Sequence, residues 1–383
     1  MFPQISTLSD LVPHIEHNKQ IRVKPDELTG HIVVCYMVQD EDTFAGTDLQ
    51  FACECRGITF HPDGKIAART LHKFFNVGEH DSVQPWAIDW SKVTRIMEKR
   101  DGSMATPVWV NAGIKFKTKK TFTSEEAMNA DKVAYATPNG VDWIIGVLAA
   151  GMTPTFEFTS PRFPIVIKYE KDELTLLHIR ENVSGRYLTE EELVALDPPF
   201  PIVQNLITQF MDIHMEMGCF ADDQVSWAKL ETAAMMATGI EGWVIQFEDG
   251  NMVKLKTKWY CELHHAVTFT RWRDIARTVV ADQSDDLKGA FAMTGRSIQP
   301  ILEVERKIKE RIDFAREAAQ QIVDVFAQVG AGDAKSLALS VKNHPHMGII
   351  MKVFRKQEID WMAWYAKNHL DNDWSLEVVE VNA

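Results

Sequence analysis

Cysteine is scarce in this chain and unpaired in pattern. Cys35, Cys53, Cys55, Cys219 and Cys261 are odd in number and contain no C-x-x-C spacing. That argues against a disulfide framework and a structural zinc site, and suits a reducing, cytosolic compartment. Long hydrophobic runs are missing too. The longest candidate, around Trp143 to Ala150, falls well short of the roughly 18 residues that a membrane span requires. Met1 to Leu11 has no basic region followed by an apolar core, so no signal peptide is expected. Positive charge is in deficit: 41 Lys plus Arg against 54 Asp plus Glu give a net charge of −13. A uniformly basic nucleic-acid coater or a polybasic membrane binder is thereby excluded, and any anionic ligand must meet a local basic cleft. The glycine-rich phosphate loops G-x-x-x-x-G-K-[ST] and G-x-G-x-x-G do not occur. The nearest stretch, Gly330 to Ser336, lacks the Gly before its Lys and follows a helical pattern, so it reads as a helix C-cap. Neither Cys261 with His264 and His265 nor His344 with His346 supplies a four-ligand metal spacing.

What remains is an ordinary globular composition, 383 residues with 45% apolar and 25% charged, long enough for roughly two to three domains. The first two thirds are written as hairpins. Ile58 to Phe60 turns at Pro62-Asp63-Gly64, Pro107 to Val110 at Asn111-Ala112-Gly113, and Trp243 to Phe247 at Asp249-Gly250. A fourth turn, Glu170 to Glu173, is expected between strands Ile165 to Tyr169 and Leu174 to Ile179. Short helices intervene, one opened by a Thr123-x-x-Glu126 capping box and one over Val141 to Ala150, stopped by Gly151 and Pro154. This is an α+β region of antiparallel sheets. Pro198 to Met236 reads as a helix-like insertion. After about residue 260 the pattern turns helical: Ile308, Ile312, Ala315, Ala319, Ile322, Phe326 and Val329 form one apolar seam, and a second helical pattern covers Ile349 to Leu370.

Chemistry concentrates around Lys99-Arg100-Asp101-Gly102-Ser103, a lysine just before a tight turn and a strand. Its weight comes from the order of its surroundings. Upstream stand Glu54-Cys55-Arg56-Gly57 and Lys73-Phe74-Phe75-Asn76; downstream stand Lys117 and Lys119, Phe156-Glu157-Phe158, Glu241-Gly242 and Lys254-Leu255-Lys256. Period-two alternation sets Glu157 opposite Phe156 and Phe158, sets Lys115, Lys117 and Lys119 opposite Ile114 and Phe116, and sets Lys254, Lys256 and Lys258 opposite Val253 and Leu255. Each strand is thus expected to bury one face and present charge on the other.

This ordered set, together with Ile179-Arg180-Glu181-Asn182, Trp259-Tyr260 and Ser284-Asp285-Asp286-Leu287-Lys288, resembles the covalent nucleotidyltransferases, and among them the T-even-phage type of RNA ligase 1, over about residues 35 to 290. The resemblance implies an ATP-grasp-like nucleotidyltransferase domain over 1–260 and an all-α C-terminal domain over 261–383 associated with tRNA recognition. It implies ATP and Mg2+ as cofactors, and RNA with 5′-phosphate and 3′-hydroxyl ends, such as nicked tRNA, as partner, with an end-healing kinase/phosphatase acting alongside. Lys99 would attack the α-phosphorus of ATP. A free lysine amine has a pKa of roughly 10.4, and neighbouring cations such as Lys254 and Lys256 would favour its neutral form. By the same resemblance Lys254 and Lys256 would hold the α-phosphate, and Glu157 and Glu241 would meet ribose and magnesium. Arg56, Lys73 and Lys119 would contact nucleotide or RNA phosphate, with Gly102 at the nucleotide. Tyr36 would line the adenine pocket, Asp285 would be metal-associated, and Tyr260 would serve sealing. Lys115, Lys117, Lys119, Lys120, Lys254, Lys256 and Lys258 would form a local RNA track. One departure is that Pro164 precedes Ile165 where the family tends to place an arginine. A DNA ligase, a capping guanylyltransferase or a non-catalytic RNA-binding protein on the same fold are the alternatives.

Overall fold

The computed structural model describes residues 2–37, 42–44, 46, 48–111, 113–163, 165–211, 225–262, 272–293, 297–329 and 332–374. The chain divides into two compact units, 1–267 with 288–296, and 268–287 with 297–383. Among the described residues no helix is long and apolar enough to cross a membrane.

The first unit carries three antiparallel sheets. One is β1 (Ile21–Pro25), β2 (Ile32–Tyr36), β3 (Arg56–Phe60) and β4 (Ile66–Ala68) in sequence order; helix α1 (Leu8–Ile15) sets Leu11 and Ile15 against its Val34, Ile58 and Phe60. The second sheet is ordered β11-β10-β5, from β5 (Val93–Glu98), β10 (Gly242–Phe247) and β11 (Met252–Lys256). The third is ordered β7-β6-β8-β9, from β6 (Ser103–Val110), β7 (Gly113–Lys117), β8 (Met152–Thr159) and β9 (Glu173–Glu181). Phe116, Phe156, Phe158, Leu174 and Leu176 on this sheet meet Ala130, Ala134, Ile144 and Val147 of α3 (Glu125–Ala136) and α4 (Gly140–Ala149) in one apolar core.

The hairpins expected at residues 62–64 and 249–250 form as read, and β6 pairs with β7 up to Val110 opposite Gly113, Ala112 lying outside the described residues. Other expectations shift. The α3 cap is Ser124, whose hydroxyl accepts from Ala127 N, rather than Thr123. Pro154 does not stop a helix but sits within β8 opposite Ile179. Residues 165–169 are not a strand; β9 pairs with β8 instead. Within 198–236, residues 201–205 run extended and bridge Leu176 and Met97, a helix covers Trp227–Met236, and 212–224 lie outside the described residues.

A buried charge network holds the first sheet to the third. Arg180 of β9 grips Glu54 of α2 (Leu49–Glu54) with two parallel bonds of 2.9 Å, and Arg69 Nε reaches the same carboxylate at 3.0 Å. Arg69 also donates to the carbonyls of Pro3, Asn182 and Val183. Two guanidinium groups outweigh the burial of Glu54 and hold its pKa down at about 2.

The second unit is helical among its described residues. Helix Gln299–Gln328 buries Ile301, Val304, Ile308, Ile312, Ala315 and Ala319 and packs on helices Trp272–Val280 and Met347–Phe354. The seam therefore begins earlier than read; Phe326 still meets Phe354 edge-on, but Val329 is exposed. The second helical pattern is broken, Met347–Phe354 being followed by Trp361–Asn368 and Leu370–Asp373. Asp333 caps helix Ala334–Ser340 by accepting from Ser336 N.

Candidate active site

Lys99 follows the last residue of β5, and its main-chain N–H donates to Gly242 O at 2.8 Å. Its ammonium lies 2.8 Å from Glu241 Oε2, while Glu241 Oε1 lies 3.0 Å from Lys256 Nζ. One carboxylate thus links two ammonium groups; Glu241 and Lys256 are buried, and Lys99 keeps a fifth of its side chain exposed. This arrangement depends on glycine. Gly242 has φ +148° and a Cβ there would stand 2.0 Å from Leu255 O, so only glycine lets β10 and β11 close beside Glu241.

Glu157 on β8 completes the cluster. Burial pushes its pKa up to about 7, Lys99 and Arg56 pull it down, and Glu241 and Asp101 push it up again. Glu157 and Glu241 are oxygen donors of the kind a divalent cation takes. Among the described residues no group of three His, Cys, Asp or Glu side chains is placed to hold a metal ion. Asp285 opens the helix Ser284–Met293 and belongs to the second unit.

The remaining residues arrive on neighbouring segments. Lys254 N–H donates to Phe75 O and Val77 N–H donates to Lys254 O, which lays residues 75–77 alongside β11. Glu79 fixes that segment, accepting from Asn76 N and Nδ2 at 2.7 Å each and lying 3.4 Å from Lys73 Nζ. Lys73 also sits over the Phe75 ring, and Lys254 and Arg56 sit over Phe74. Tyr36 is buried edge-on against Phe44, with Lys119 Nζ 4.3 Å above its ring. Gly102 packs against β8; a Cβ there would stand 2.4 Å from Phe158 O. Tyr260 donates from its hydroxyl to Asp101 Oδ1 at 2.9 Å, so it reaches the nucleophile's loop.

The expected alternation of dry and wet faces fails on two strands. Every residue of β11 is buried, Lys254 and Lys256 included, and Lys117 on β7 is buried completely. Lys117 Nζ donates to Thr118 O at 3.2 Å, and burial pushes its pKa down to about 8. The seven lysines therefore do not form a surface track. Of the outward ones, Lys115 pairs with Asp131 and Lys258 with Glu262. Alternation reports one face of a strand; a second sheet or loop covering the other face leaves no local trace. Desolvation disfavours the thiolates of the cysteines near the site, pushing Cys53 up to about 12 and Cys55 well above the usual thiol range.

The sequence reading passed over Arg69, Glu79 and Tyr169. Glu79 lies three residues beyond Asn76, a local spacing that could have flagged it. Arg69 and Tyr169 act through partners distant in the chain and carry no such signal.

Comparison with known proteins gives the following likenesses. A model of the RNA ligase family matches residues 54–260. A protein of Thermovibrio ammonificans assigned by name as an RNA ligase is 30% identical over 273 residues, 69% of this chain and 65% of that protein's length. RNA ligase 1 of bacteriophage TS2126 is 26% identical over 327 residues, 80% of this chain and 71% of the phage protein. Among solved structures, an archaeal ATP-dependent RNA ligase overlays with TM-score 0.42 and 13% identity, over 79% of each chain. The match to the Thermovibrio protein thus spans just under two thirds of that relative. With more than half of its residues matched to the family model, this chain belongs to the RNA ligase family.

Proposed function

We propose that the chain is an ATP-dependent RNA ligase that joins a 5′-phosphate to a 3′-hydroxyl through lysyl-AMP and RNA-adenylate. The observation that carries this reading is the linkage Lys99–Glu241–Lys256, a partly exposed lysine fixed to a buried carboxylate that also holds a second, buried lysine. Lys99 Nζ would attack the α-phosphorus of ATP, forming a P–N bond as the bond to pyrophosphate breaks and the amine proton leaves. Glu241, 2.8 Å from Lys99 Nζ, would first take the ammonium's extra proton and so free the lone pair for attack. An RNA 5′-phosphate oxygen would then displace Lys99 from phosphorus, and a 3′-hydroxyl would displace AMP in the sealing step.

Phosphoryl transfer leaves the protein mainly positioning and charge stabilisation to supply. Lys254 and Lys256 form the cationic clamp for the α-phosphate, and Arg56, Lys73 and Lys119 are further phosphate contacts. The burial of Lys73, Lys254 and Lys256 strengthens their interactions relative to water. Tyr36, with Lys119 above its ring, would line the adenine site. Glu157 and Glu241 are the carboxylates of the first unit that would hold Mg2+, which when bound polarises phosphate oxygens and offsets developing charge. The natural substrate in this reading is nicked tRNA, supplied by an end-healing kinase/phosphatase and read by the helical unit.

The test is incubation with α-labelled ATP and magnesium, then denaturing electrophoresis, with GTP, Lys99→Ala and pyrophosphate-treated protein alongside. Label from ATP that is lost in the variant, followed by circularisation of a 5′-phosphorylated RNA, is the expected result. Equal labelling of Lys99→Ala, or no label even after pyrophosphate treatment, overturns it.

A further inference from the structure

Residues 99–102 lie between β5 and β6 and so belong to no ladder; Asp101 is buried and its neighbours are half-buried. Gly242 O takes the N–H of Lys99, and the Asp101 N–H donates to a side chain, Tyr169 Oη, at 3.0 Å. The Asp101 carboxylate is gripped by the same irregular segment: Oδ2 accepts from Val166 N at 2.9 Å and Ile167 N at 2.7 Å, while Oδ1 accepts from Tyr260. Arg100 lies with its guanidinium 4.9 Å above the Tyr169 ring and reaches Glu173 at 3.3 Å. One short segment thus holds both residues that follow Lys99, from main chain and side chain alike.

We propose that Tyr169 is a positioning residue for Lys99, its hydroxyl and ring locking the Lys99–Gly102 turn so that the amine is held on Glu241. This rests on reading Lys99 as the nucleophile. Two sides of the turn are fixed by strands, β10 through Gly242 and β8 through the close approach of Gly102 to Phe158. The third side has no strand, and a side-chain acceptor takes the place of the missing ladder bond. Burial keeps the phenol neutral, with a pKa pushed up to about 12, so its acceptor role does not change across the working pH range. Tyr169 is not among the groups that contact Lys99, which makes its effect separable from theirs.

Tyr169→Phe in the full chain removes only the hydroxyl, and trace acetylation followed by peptide mass spectrometry reads the consequence at Lys99 without any reaction of the enzyme. Relative to exposed Lys120 as internal standard, Lys99 should acetylate about three- to tenfold faster in the variant, the fold-change expected from losing one hydrogen bond. Arg100→Ala, which loosens the seat of the ring and leaves the hydroxyl, should shift the same ratio in the same direction by less. Thermal unfolding of both variants should match the parent. In single-turnover AMP attachment, Tyr169→Phe should slow the saturating rate by about tenfold while half-saturating ATP moves by less than about twofold, since a small misplacement of the nucleophile affects attack and not binding. An unchanged Lys99 to Lys120 ratio in both variants, or a loss that appears in half-saturating ATP alone, overturns the proposal. Should the parent protein take no label from ATP, the ligase reading falls, and the acetylation ratio still decides whether Tyr169 positions Lys99.

Discussion

Replacing Gly102 by alanine asks how accurately the nucleophile must be held. The added Cβ would lie 2.4 Å from Phe158 O and 3.0 Å from Thr159 Cγ2, whereas ordinary contact begins at 3.4 Å. The carbonyl belongs to a strand paired on both sides, with Ser103 and with Leu174, and cannot swing away as a flexible side-chain tip would. The turn bearing Lys99 must therefore give by about 0.6–1.0 Å, the gap between that contact and a tolerable one. Overpacking of this kind costs about 1–3 kcal/mol, and in a domain of this size each kcal/mol lowers Tm by about 2–4 °C. A displacement approaching 1 Å at a reacting group costs up to about 100-fold in rate. Gly102→Ala should thus remain folded, with Tm lowered by a few degrees, and attach AMP about 10- to 100-fold more slowly at saturating ATP. Single-turnover labelling beside a thermal melt separates the two effects. A variant that labels at the parent rate with the parent Tm would refute the argument that β8 fixes the turn.

Three further outcomes follow from the buried charges. Glu157 has a folded pKa of about 7 against 4.5 unfolded, so the native state binds more protons between these values and its contribution to stability falls as pH rises across that window. Glu157→Gln should be more stable than the parent at pH 8 by about 1–3 kcal/mol while losing activity; denaturant titration at pH 5 and pH 8 checks this, and equal stability at pH 8 contradicts it. Glu54 has the opposite sign, its pKa held at about 2, so its contribution is present above pH 4.5 and lost as pH falls through 2. Glu54→Gln leaves two buried guanidinium groups without a counter-charge and should cost about 3–5 kcal/mol at pH 7, a loss that a melt would show and that shrinks toward pH 2. The Lys117 ammonium is disfavoured in the fold, so parent stability should rise between pH 8 and 10.5, and Lys117→Met should abolish that rise in urea titrations at the two ends of the window.

Much of the hairpin architecture was legible because turn chemistry is local. Pro62-Asp63-Gly64 and Asp249-Gly250 specify a reversal whatever lies elsewhere in the chain. The misread strand at 165–169 shows the limit of that reasoning. Its apolar residues satisfy a strand pattern, but its amides are directed to Asp101, some 65 residues earlier. A periodicity cannot report a partner at that distance.

The sequence by itself determined the order of charged residues around Lys99, the antiparallel character of the first unit and the helical character of the second. Those properties rest on residue type and short-range spacing. Only the tertiary structure decided that Lys254, Lys256 and Lys117 are buried on both sides, that Glu241 links Lys99 to Lys256, and that Glu54 meets Arg180 across 126 residues. Each is a contact between segments brought together by burial of apolar faces, and that burial constrains which surfaces meet without being written in the spacing of the residues on either one.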